Sequence, residues 1–300
     1  MESNKKRGED ALKQLEKEIN ARDRKEASKP WTVALLALAV IALIGGGIYW
    51  AATREGSEEI TAESETTTEP TQEEKTDAEP LKRERAQALP PTVECSYRED
   101  GQGEYYKGLP EMKNVSTQGT VDITLDTTAG PIPLTLDRAV SPCTVNAIEY
   151  LAEQKYYDDT VCHRLTTSGI HVLQCGDPSG TGAGGPGFQF NNEFPTDEVD
   201  KNDIEAMNTP LNYERGTIAM ANAGEDEKGN GTNGSQFFLN YSDSPLPPMY
   251  TYFGTINEEG LATLDEISKK GIKEGSESMG PGDGAPKDEV KIKSVSVTKI

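Results

Sequence analysis

Residues 120–137 read TVDITLDTTAGPIPLTLD and carry the clearest periodic pattern in the chain. Apolar and polar residues alternate in two runs, and the segment TTAG at 127–130 between them has the composition of a turn. Alternation at every second position is typical of a strand with one buried face. The sequence therefore predicts a β-hairpin, whose alternating apolar residues are Val121, Ile123, Leu125, Ile132, Leu134 and Leu136.

Two segments after this hairpin have helical patterns. SPCTVNAIEYLAEQKYY, residues 141–157, begins with Ser141 as a candidate N-cap and Pro142 at the first helical position. A second pattern, LATLDEISKK, covers residues 261–270. Short apolar runs separated by glycine-rich loops fill most of the remaining sequence, so we expect a mostly β domain with two helices.

One long uncharged apolar stretch, residues 30–53, precedes this domain. As a helix it would extend roughly 36 Å, enough to cross a hydrocarbon core of about 30 Å. Trp31, Tyr49 and Trp50 lie near its ends, where interfacial aromatics are common. A buried core helix and a cleaved signal peptide are the alternatives, but a charged arm before the stretch is unlike a signal peptide. We predict a retained transmembrane anchor at residues 31–53.

The uneven charge of the N-terminal region predicts its topology. Residues 1–30 contain nine Lys or Arg and seven Asp or Glu, whereas residues 55–80 contain one Lys and ten Asp or Glu. Positive residues favour the cytoplasmic side, so we expect a single-pass protein of the cytoplasmic membrane with its N-terminus inside and its C-terminal domain outside.

The same region divides into further segments. Apolar residues at helical spacing predict that the charged arm at 1–30 is partly helical. Residues 54–90 are rich in Glu and Thr, which predicts a disordered acidic linker. A pre-domain segment at 91–118 and the β domain at 119–300 complete the predicted organisation.

Composition limits the classes of function. The chain has 300 residues, 47 of them Gly or Pro, which leaves room for one ordinary domain and much unpacked sequence. A net charge of −21 excludes a typical nucleic-acid binder, because Lys and Arg supply most affinity for phosphate backbones. We expect no nucleic-acid partner.

Both histidines and two of the four cysteines lie in TVCHRLTTSGIHVLQCGD, residues 160–177. A zinc site is disfavoured, because adjacent Cys162 and His163 would point to opposite faces of a strand. The GxGxxG spacing at 180–185 lacks the following helix of a dinucleotide site, and the calcium-like loop at 226–237 would place Lys228 among its ligands. We expect no metal. Disulfides suit an extracytoplasmic domain, and four cysteines allow three pairings.

Five motifs resemble those of the cyclophilin family of peptidyl-prolyl isomerases. They are CHR at 162–164, QCGDPSGTGAGGPG at 174–187, MANAG at 220–224, NGSQFF at 233–238 and YFG at 252–254. The anchor, the acidic linker and the four cysteines further resemble membrane-attached bacterial members. The resemblance implies a closed eight-stranded antiparallel β-barrel capped by two helices, and isomerase activity that requires no cofactor.

The resemblance also implies roles for individual residues. Arg164 corresponds to the catalytic arginine, and Gln174 would orient it and meet the substrate backbone. Further residues would form the proline pocket and the groove that binds substrate: Val172, Phe238, Leu246, Ala221, Asn222 and Gln236. His171 and Tyr250 stand where many members have Phe and His, and would also contact substrate. An acidic insert at 225–231 is a third difference from those members. These three differences from the family pattern leave the substrate preference open.

A hairpin formed by residues 161–165 and 172–176 would place Cys162 and Cys175 roughly opposite each other. Their Cα atoms would then lie within about 4.4–6.8 Å, the range typical of disulfides. Cys95 would pair with Cys143. Pairing of Cys143 with Cys162 is the alternative, because the register is uncertain by one residue.

Together these features predict a membrane-anchored prolyl isomerase. Its partners would be Pro-containing polypeptides outside the cytoplasm or newly translocated chains. The alternative is a cyclophilin-like module that binds Pro-containing peptides or acts as a chaperone, with weak catalysis.

Overall fold

The computed structural model describes residues 78–101, 103–277 and 280–299. The predicted cytoplasmic arm, the anchor at 31–53 and linker residues 54–77 lie outside the described residues. None of the helices in the described ranges combines the length and apolarity needed to cross a bilayer.

Short strands dominate the described residues. In chain order they are β1 Glu79–Pro80, β2 Thr92–Val93, β3 Tyr97–Glu99, β4 Val115–Ser116, β5 Thr120–Thr127, β6 Pro131–Asp137, β7 Thr160–Val161, β8 Arg164–Thr166, β9 Val172–Cys175, β10 Phe188–Phe190, β11 Leu211–Tyr213, β12 Thr217–Met220, β13 Phe237–Asn240, β14 Ser244–Leu246, β15 Tyr252–Ile256, β16 Asp283–Gly284 and β17 Lys291–Lys299. The helices are α1 Pro142–Glu153, α2 Ile204–Asn208 and α3 Glu258–Lys270, with a 3₁₀ turn at Thr196–Glu198.

A ten-stranded sheet forms the framework, in the order β16-β8-β9-β13-β12-β15-β6-β5-β17-β7. Although β7 ends the sheet and β8 lies near the opposite end, only residues 162–163 separate them in the chain, so the sheet must curl. In the described residues β7 and β16 share no ladder pairing. The prediction of a closed eight-stranded barrel is therefore wrong: the sheet has ten strands, and its two end strands do not pair in the described residues. Val161 still pairs with β17, and Arg164 is the first residue to pair with β9, so residues 162–163 between them belong to neither ladder.

The predicted hairpin is confirmed as β5 and β6. These strands pair antiparallel, with Val121 opposite Leu136 and Ile123 opposite Leu134. All six alternating apolar residues are at most 4 % exposed. The pattern thus located both strands and their buried face.

Both predicted helices are also present, as α1 and α3, and the short α2 was not predicted. Ser141 is the N-cap residue of α1, but its hydroxyl donates to the Tyr252 carbonyl at 2.7 Å. The Glu193 carboxylate instead accepts from the backbone N–H groups of Cys143 and Thr144, at 3.1 and 2.7 Å. A carboxylate is favourable there because the first N–H groups of a helix have no partner within it.

The buried apolar residues form two clusters. The larger lies among the sheet, α1 and α3, and includes the buried face of the β5–β6 hairpin. The smaller contains Phe238, Leu246 and Val172 together with Leu81 from the start of the described chain. This smaller cluster bears on the candidate site, because three of its members also line the groove described below.

Residues 78–90, predicted to be disordered linker, instead pack against the domain. β1 pairs in parallel with β11, and Leu81 is only 3 % exposed. Arg85 donates to the Val140 carbonyl at 2.8 Å and to the Asp197 carboxylate at 2.7 Å. The linker prediction is wrong for these residues because one buried apolar side chain and several ion pairs dock a segment whose average composition is polar.

Disulfides join Cys95 to Cys143 and Cys162 to Cys175, as predicted, and exclude the alternative pairing. The Cα separations are 5.5 and 4.0 Å. The second is shorter than expected. Cys162 and Cys175 lie just beyond the last ladder pair between β8 and β9, where backbone hydrogen bonds no longer set the strand spacing.

Candidate active site

A groove of about 740 Å³ opens along β8, β9 and β13. Its lining includes Arg164, Ile170, Val172, Gln174, Ala221, Asn222, Gln236, Phe238, Leu246 and Tyr250, with loop residues 182–187. The sheet register places three of these residues on neighbouring strands. Arg164 on β8 is directly opposite Gln174 on β9, and Gln174 is opposite Phe238 on β13.

The guanidinium of Arg164 is held from two sides. Its Nη1 donates to Gln174 Oε1 at 3.1 Å, while Nε and Nη2 donate to the two carboxylate oxygens of Asp283 at 2.8 and 2.7 Å. The hydrogen bonds to Asp283 raise the pKa of Arg164 above its already high usual value. Arg164 is therefore a permanent cation at the groove, in one fixed orientation.

A chain of amide groups continues from Gln174. Its Nε2 donates to Gln236 Oε1 at 2.9 Å. Gln236 Nε2 in turn donates to the carbonyl oxygens of Gly182 and Gly184, at 3.0 and 2.9 Å. The glycine-rich loop and the arginine are thus linked through two glutamine side chains, which orient one another.

The Asp177 carboxylate organises this glycine-rich loop. It accepts hydrogen bonds from the backbone N–H groups of Ser179, Gly182 and Gly184. Burial raises the pKa of Asp177, but hydrogen bonds from Ser179, Gly184 and Gly182 outweigh burial and leave the pKa below its usual value. A Cβ added at Gly184 would collide with this carboxylate, so the loop needs glycine there.

An apolar pocket lies beside the arginine. Val172, Phe238 and Leu246 are 2 %, 5 % and 9 % exposed and belong to the smaller apolar cluster. The Tyr250 ring meets the Phe238 ring edge to face, with centroids 5.7 Å apart. A small apolar ring entering this pocket would have a cation and amide groups at its rim.

Comparison with known proteins identifies the family of this chain. The model for "Cyclophilin type peptidyl-prolyl cis-trans isomerase/CLD" matches residues 120–297. The chain belongs to this family. It is similar to a probable peptidyl-prolyl cis-trans isomerase B of Mycobacterium tuberculosis, at 50 % identity over 189 residues that cover 62 % of this chain and 58 % of the relative.

Two further proteins are also similar to this chain. A peptidyl-prolyl cis-trans isomerase of Helicobacter pylori is 36 % identical over 166 residues, covering 55 % of this chain and 90 % of that protein. A crystal structure of a cyclophilin type peptidyl-prolyl cis-trans isomerase from Cryptosporidium parvum has 28 % identity and a TM-score of 0.47, covering 61 % of this chain and 99 % of that chain.

His171 is the one cyclophilin site residue predicted from sequence that does not line the groove. Its backbone N–H donates to Ser244 Oγ at 2.9 Å, and its ring meets the Tyr241 ring edge to face. Successive side chains of an extended segment point to opposite sides, so a groove-facing Val172 directs His171 away. Ile170 lines the groove instead.

The predicted backbone-pairing residues of the cyclophilin groove, Ala221 and Asn222, form one wall. The Ala221 N–H donates to the Gln236 carbonyl at 2.9 Å. The side-chain amide of Asn222 donates to Asn233 Oδ1 at 3.0 Å and to the Met249 carbonyl at 3.1 Å. The Asn222 side chain therefore fixes the wall of the groove from behind.

Sequence reasoning missed Asp283 and Ile170. Asp283 follows Arg164 by 119 residues, and its surroundings, PGDGAP, lie outside the five motifs. Its flanking glycines were the available signal of a tight approach. Ile170 lies between the motifs that contain Arg164 and Gln174, so no motif placed it.

The groove suits non-covalent chemistry. Of the described residues, those that line it include no His, Cys or Lys. Ser235 lines it, but the Ser235 hydroxyl donates to the Gly176 carbonyl at 2.7 Å. What the groove offers is a fixed cation, oriented amides and an apolar pocket.

Proposed function

We propose that this chain is a peptidyl-prolyl cis-trans isomerase that rotates X-Pro bonds of polypeptide substrates. Family membership supports the reaction class. The observation that carries the proposal is the position of Arg164, bonded to Gln174 at 3.1 Å beside the pocket of Val172, Phe238 and Leu246.

The reaction needs little from a catalyst except the right surroundings. Rotation about a peptide bond meets a barrier of roughly 20 kcal/mol, because the nitrogen lone pair is delocalised into the carbonyl. An X-Pro bond populates both isomers but exchanges over tens to hundreds of seconds unaided. An enzyme lowers the barrier by binding the twisted state, with its localised lone pair, more tightly than either planar state.

Each part of the groove has a role in this scheme. The apolar pocket of Phe238, Val172 and Leu246 binds the proline ring. The guanidinium of Arg164 donates to the imide nitrogen as that nitrogen loses conjugation. Gln174 orients Arg164, and the wall at Ala221 pairs with the substrate backbone. The barrier is lowered because these donors are fixed before the substrate twists.

We further propose that the substrates are extracytoplasmic or newly translocated chains. Two observations support this location: the charge asymmetry around the apolar stretch at 30–53, and two disulfides in the described residues. Disulfides persist mainly in oxidising compartments. Protease added to intact spheroplasts would then remove the domain and leave residues 1–30 protected, and protection of the domain would refute this location.

The test of the activity compares the full chain with its Arg164→Ala variant. Turnover of a short Pro-containing peptide should fall at least tenfold, equivalent to about 1.4 kcal/mol of barrier. Near-UV circular dichroism and the urea midpoint control for folding. A folded variant with wild-type turnover would refute the assigned chemistry.

A second candidate function is a weakly catalytic module that binds Pro-containing peptides. One observation favours it: the Asp283 carboxylate lies 2.7 Å from the guanidinium and offsets the charge that Arg164 presents to the groove. The two functions differ in turnover. A wild-type chain that binds the peptide without accelerating its isomerisation would be the binding module.

A further inference from the structure

The salt bridge between Arg164 and Asp283 joins distant parts of the chain. Asp283 begins β16, whose two residues pair with β8, so that Asp283 is opposite Thr166 and Gly284 is opposite Leu165. The turn before it depends on Gly282, which has a φ of +82° and whose added Cβ would lie 3.0 Å from Thr167 Oγ1. The Gly-Asp-Gly sequence therefore lets the chain approach β8 closely and present a carboxylate to the arginine.

The bridge determines which donors of Arg164 remain available. A guanidinium has five N–H donors in a rigid plane. Asp283 uses one on Nε and one on Nη2, and Gln174 uses one on Nη1. One donor on Nη1 and one on Nη2 remain, in a plane that the bidentate carboxylate fixes.

We propose that Asp283 is a positioning residue for Arg164: its carboxylate holds the guanidinium so that the remaining donors face the proline nitrogen. This inference rests on the proposed isomerase activity. Asp283 is not among the residues that line the groove, so it acts through the arginine and does not itself contact substrate.

Two features separate this role from simple reinforcement of the fold. β16 is already held to β8 by backbone pairing, and Thr167 N–H donates to the Gly282 carbonyl at 2.7 Å. The side chains of Arg164 and Asp283 are 27 % and 16 % exposed, so the pair is only partly shielded from water. Loss of the carboxylate should therefore leave the strand in place and free the arginine to adopt other rotamers.

The carboxylate has a second, opposing effect. It partly cancels the positive charge that stabilises the twisted substrate, so its removal would speed catalysis if charge mattered more than orientation. We infer that orientation dominates. With only the single Gln174 hydrogen bond left, a long and flexible side chain would seldom occupy the productive geometry.

The test measures kcat and KM for a Pro-containing peptide with the full chain and with variants of Asp283, Asp265 and Arg164. Asp283→Ala removes the carboxylate, and Asp283→Asn keeps its shape and one acceptor. Asp265→Ala is the matched control, because Asp265 makes a similar two-point bridge to Arg215, at 2.7 and 2.9 Å, and neither residue lines the groove.

We expect Asp283→Ala to lower kcat about tenfold with KM changed less than twofold, since the apolar pocket still binds proline. Asp283→Asn should give an intermediate kcat, and Asp265→Ala should match the wild type. In an Arg164→Ala background, Asp283→Ala should have no further effect on the residual rate. If Asp283→Ala does not fold, Asp283→Asn replaces it in the comparisons with and without Arg164.

The outcomes distinguish the inference from the function on which it rests. An inactive wild type refutes the isomerase itself. An active wild type, slowed by Arg164→Ala but unchanged or accelerated by removal of the Asp283 carboxylate, refutes only the positioning role. An equal loss of rate with and without Arg164 would also refute it, because Asp283 would then act through the fold in general.

Discussion

The two disulfides should stabilise the fold by different amounts. Cys162 and Cys175 are separated by 13 residues, and Cys95 and Cys143 by 48. In the chain-entropy model, a bridge stabilises by restricting the unfolded chain, and the effect grows with the logarithm of loop length. The model gives about 3 kcal/mol for the shorter loop and about 4 kcal/mol for the longer.

Each contribution is measurable in a variant that retains one bridge. In Cys95→Ala/Cys143→Ala, reduction should lower the free energy of unfolding by about 3 kcal/mol, and in Cys162→Ala/Cys175→Ala by about 4 kcal/mol. Urea unfolding with and without reductant gives both values, and comparison of the same variant in two redox states avoids any change in packed volume.

A larger effect of reduction on the Cys162–Cys175 bridge than on the Cys95–Cys143 bridge would refute the loop-closure argument. Turnover provides a second check. Arg164 and Gln174 are ladder partners and share a hydrogen bond at 3.1 Å, so they should stay aligned without the neighbouring bridge. At temperatures where Cys162→Ala/Cys175→Ala is fully folded, kcat should remain within twofold of the wild type.

Two further predictions concern stability. Leu81→Ala should lower the free energy of unfolding in urea by about 2–5 kcal/mol, whereas Ile204→Ala, at a 75 % exposed position, should change it by less than about 0.5 kcal/mol; equal effects would contradict docking of residues 78–90. The hydrogen bonds of Asp177 lower its pKa in the folded state. The ionised carboxylate therefore stabilises the folded protein above the ordinary aspartate pKa, and this stabilisation is lost as pH falls through the folded-state pKa. Stability measured from pH 7 to pH 3 should therefore decline more steeply for the wild type than for Asp177→Asn, and parallel curves would contradict this.

Local patterns were sufficient for the elements whose signals are local. The β5–β6 hairpin follows from alternation of period two, and α3 from an apolar face at helical spacing after Asn257, whose side chain accepts from Gly260 N–H as an N-cap. The groove residues came from motifs whose order and spacing match a known family. The structure places the β5–β6 hairpin and α3 in the segments that these local patterns predict.

The remaining features depend on contacts between distant residues. The open ends of the sheet, the docking of Leu81 and the Asp283 bridge each join segments that are far apart in the sequence. His171 was misplaced because motif alignment does not say which side of an extended segment a residue faces. Composition likewise gave the wrong prediction at 78–90, where buried Leu81 and several ion pairs dock the segment against the domain.

The pairing of β17 with β5 has a consequence for how this chain folds. Val297 is opposite Ile123, so a ladder as long as that between β5 and β6 joins the beginning of the β domain to its C-terminal strand. Contacts of such high sequence separation slow folding, because loop-closure entropy must be overcome before they form. Until residues 291–299 pair with β5, one edge of β5 has unpaired backbone groups, and such an edge is prone to aggregation. A protein whose proposed task is to speed the folding of other chains would thus itself be vulnerable until its final strand is in place.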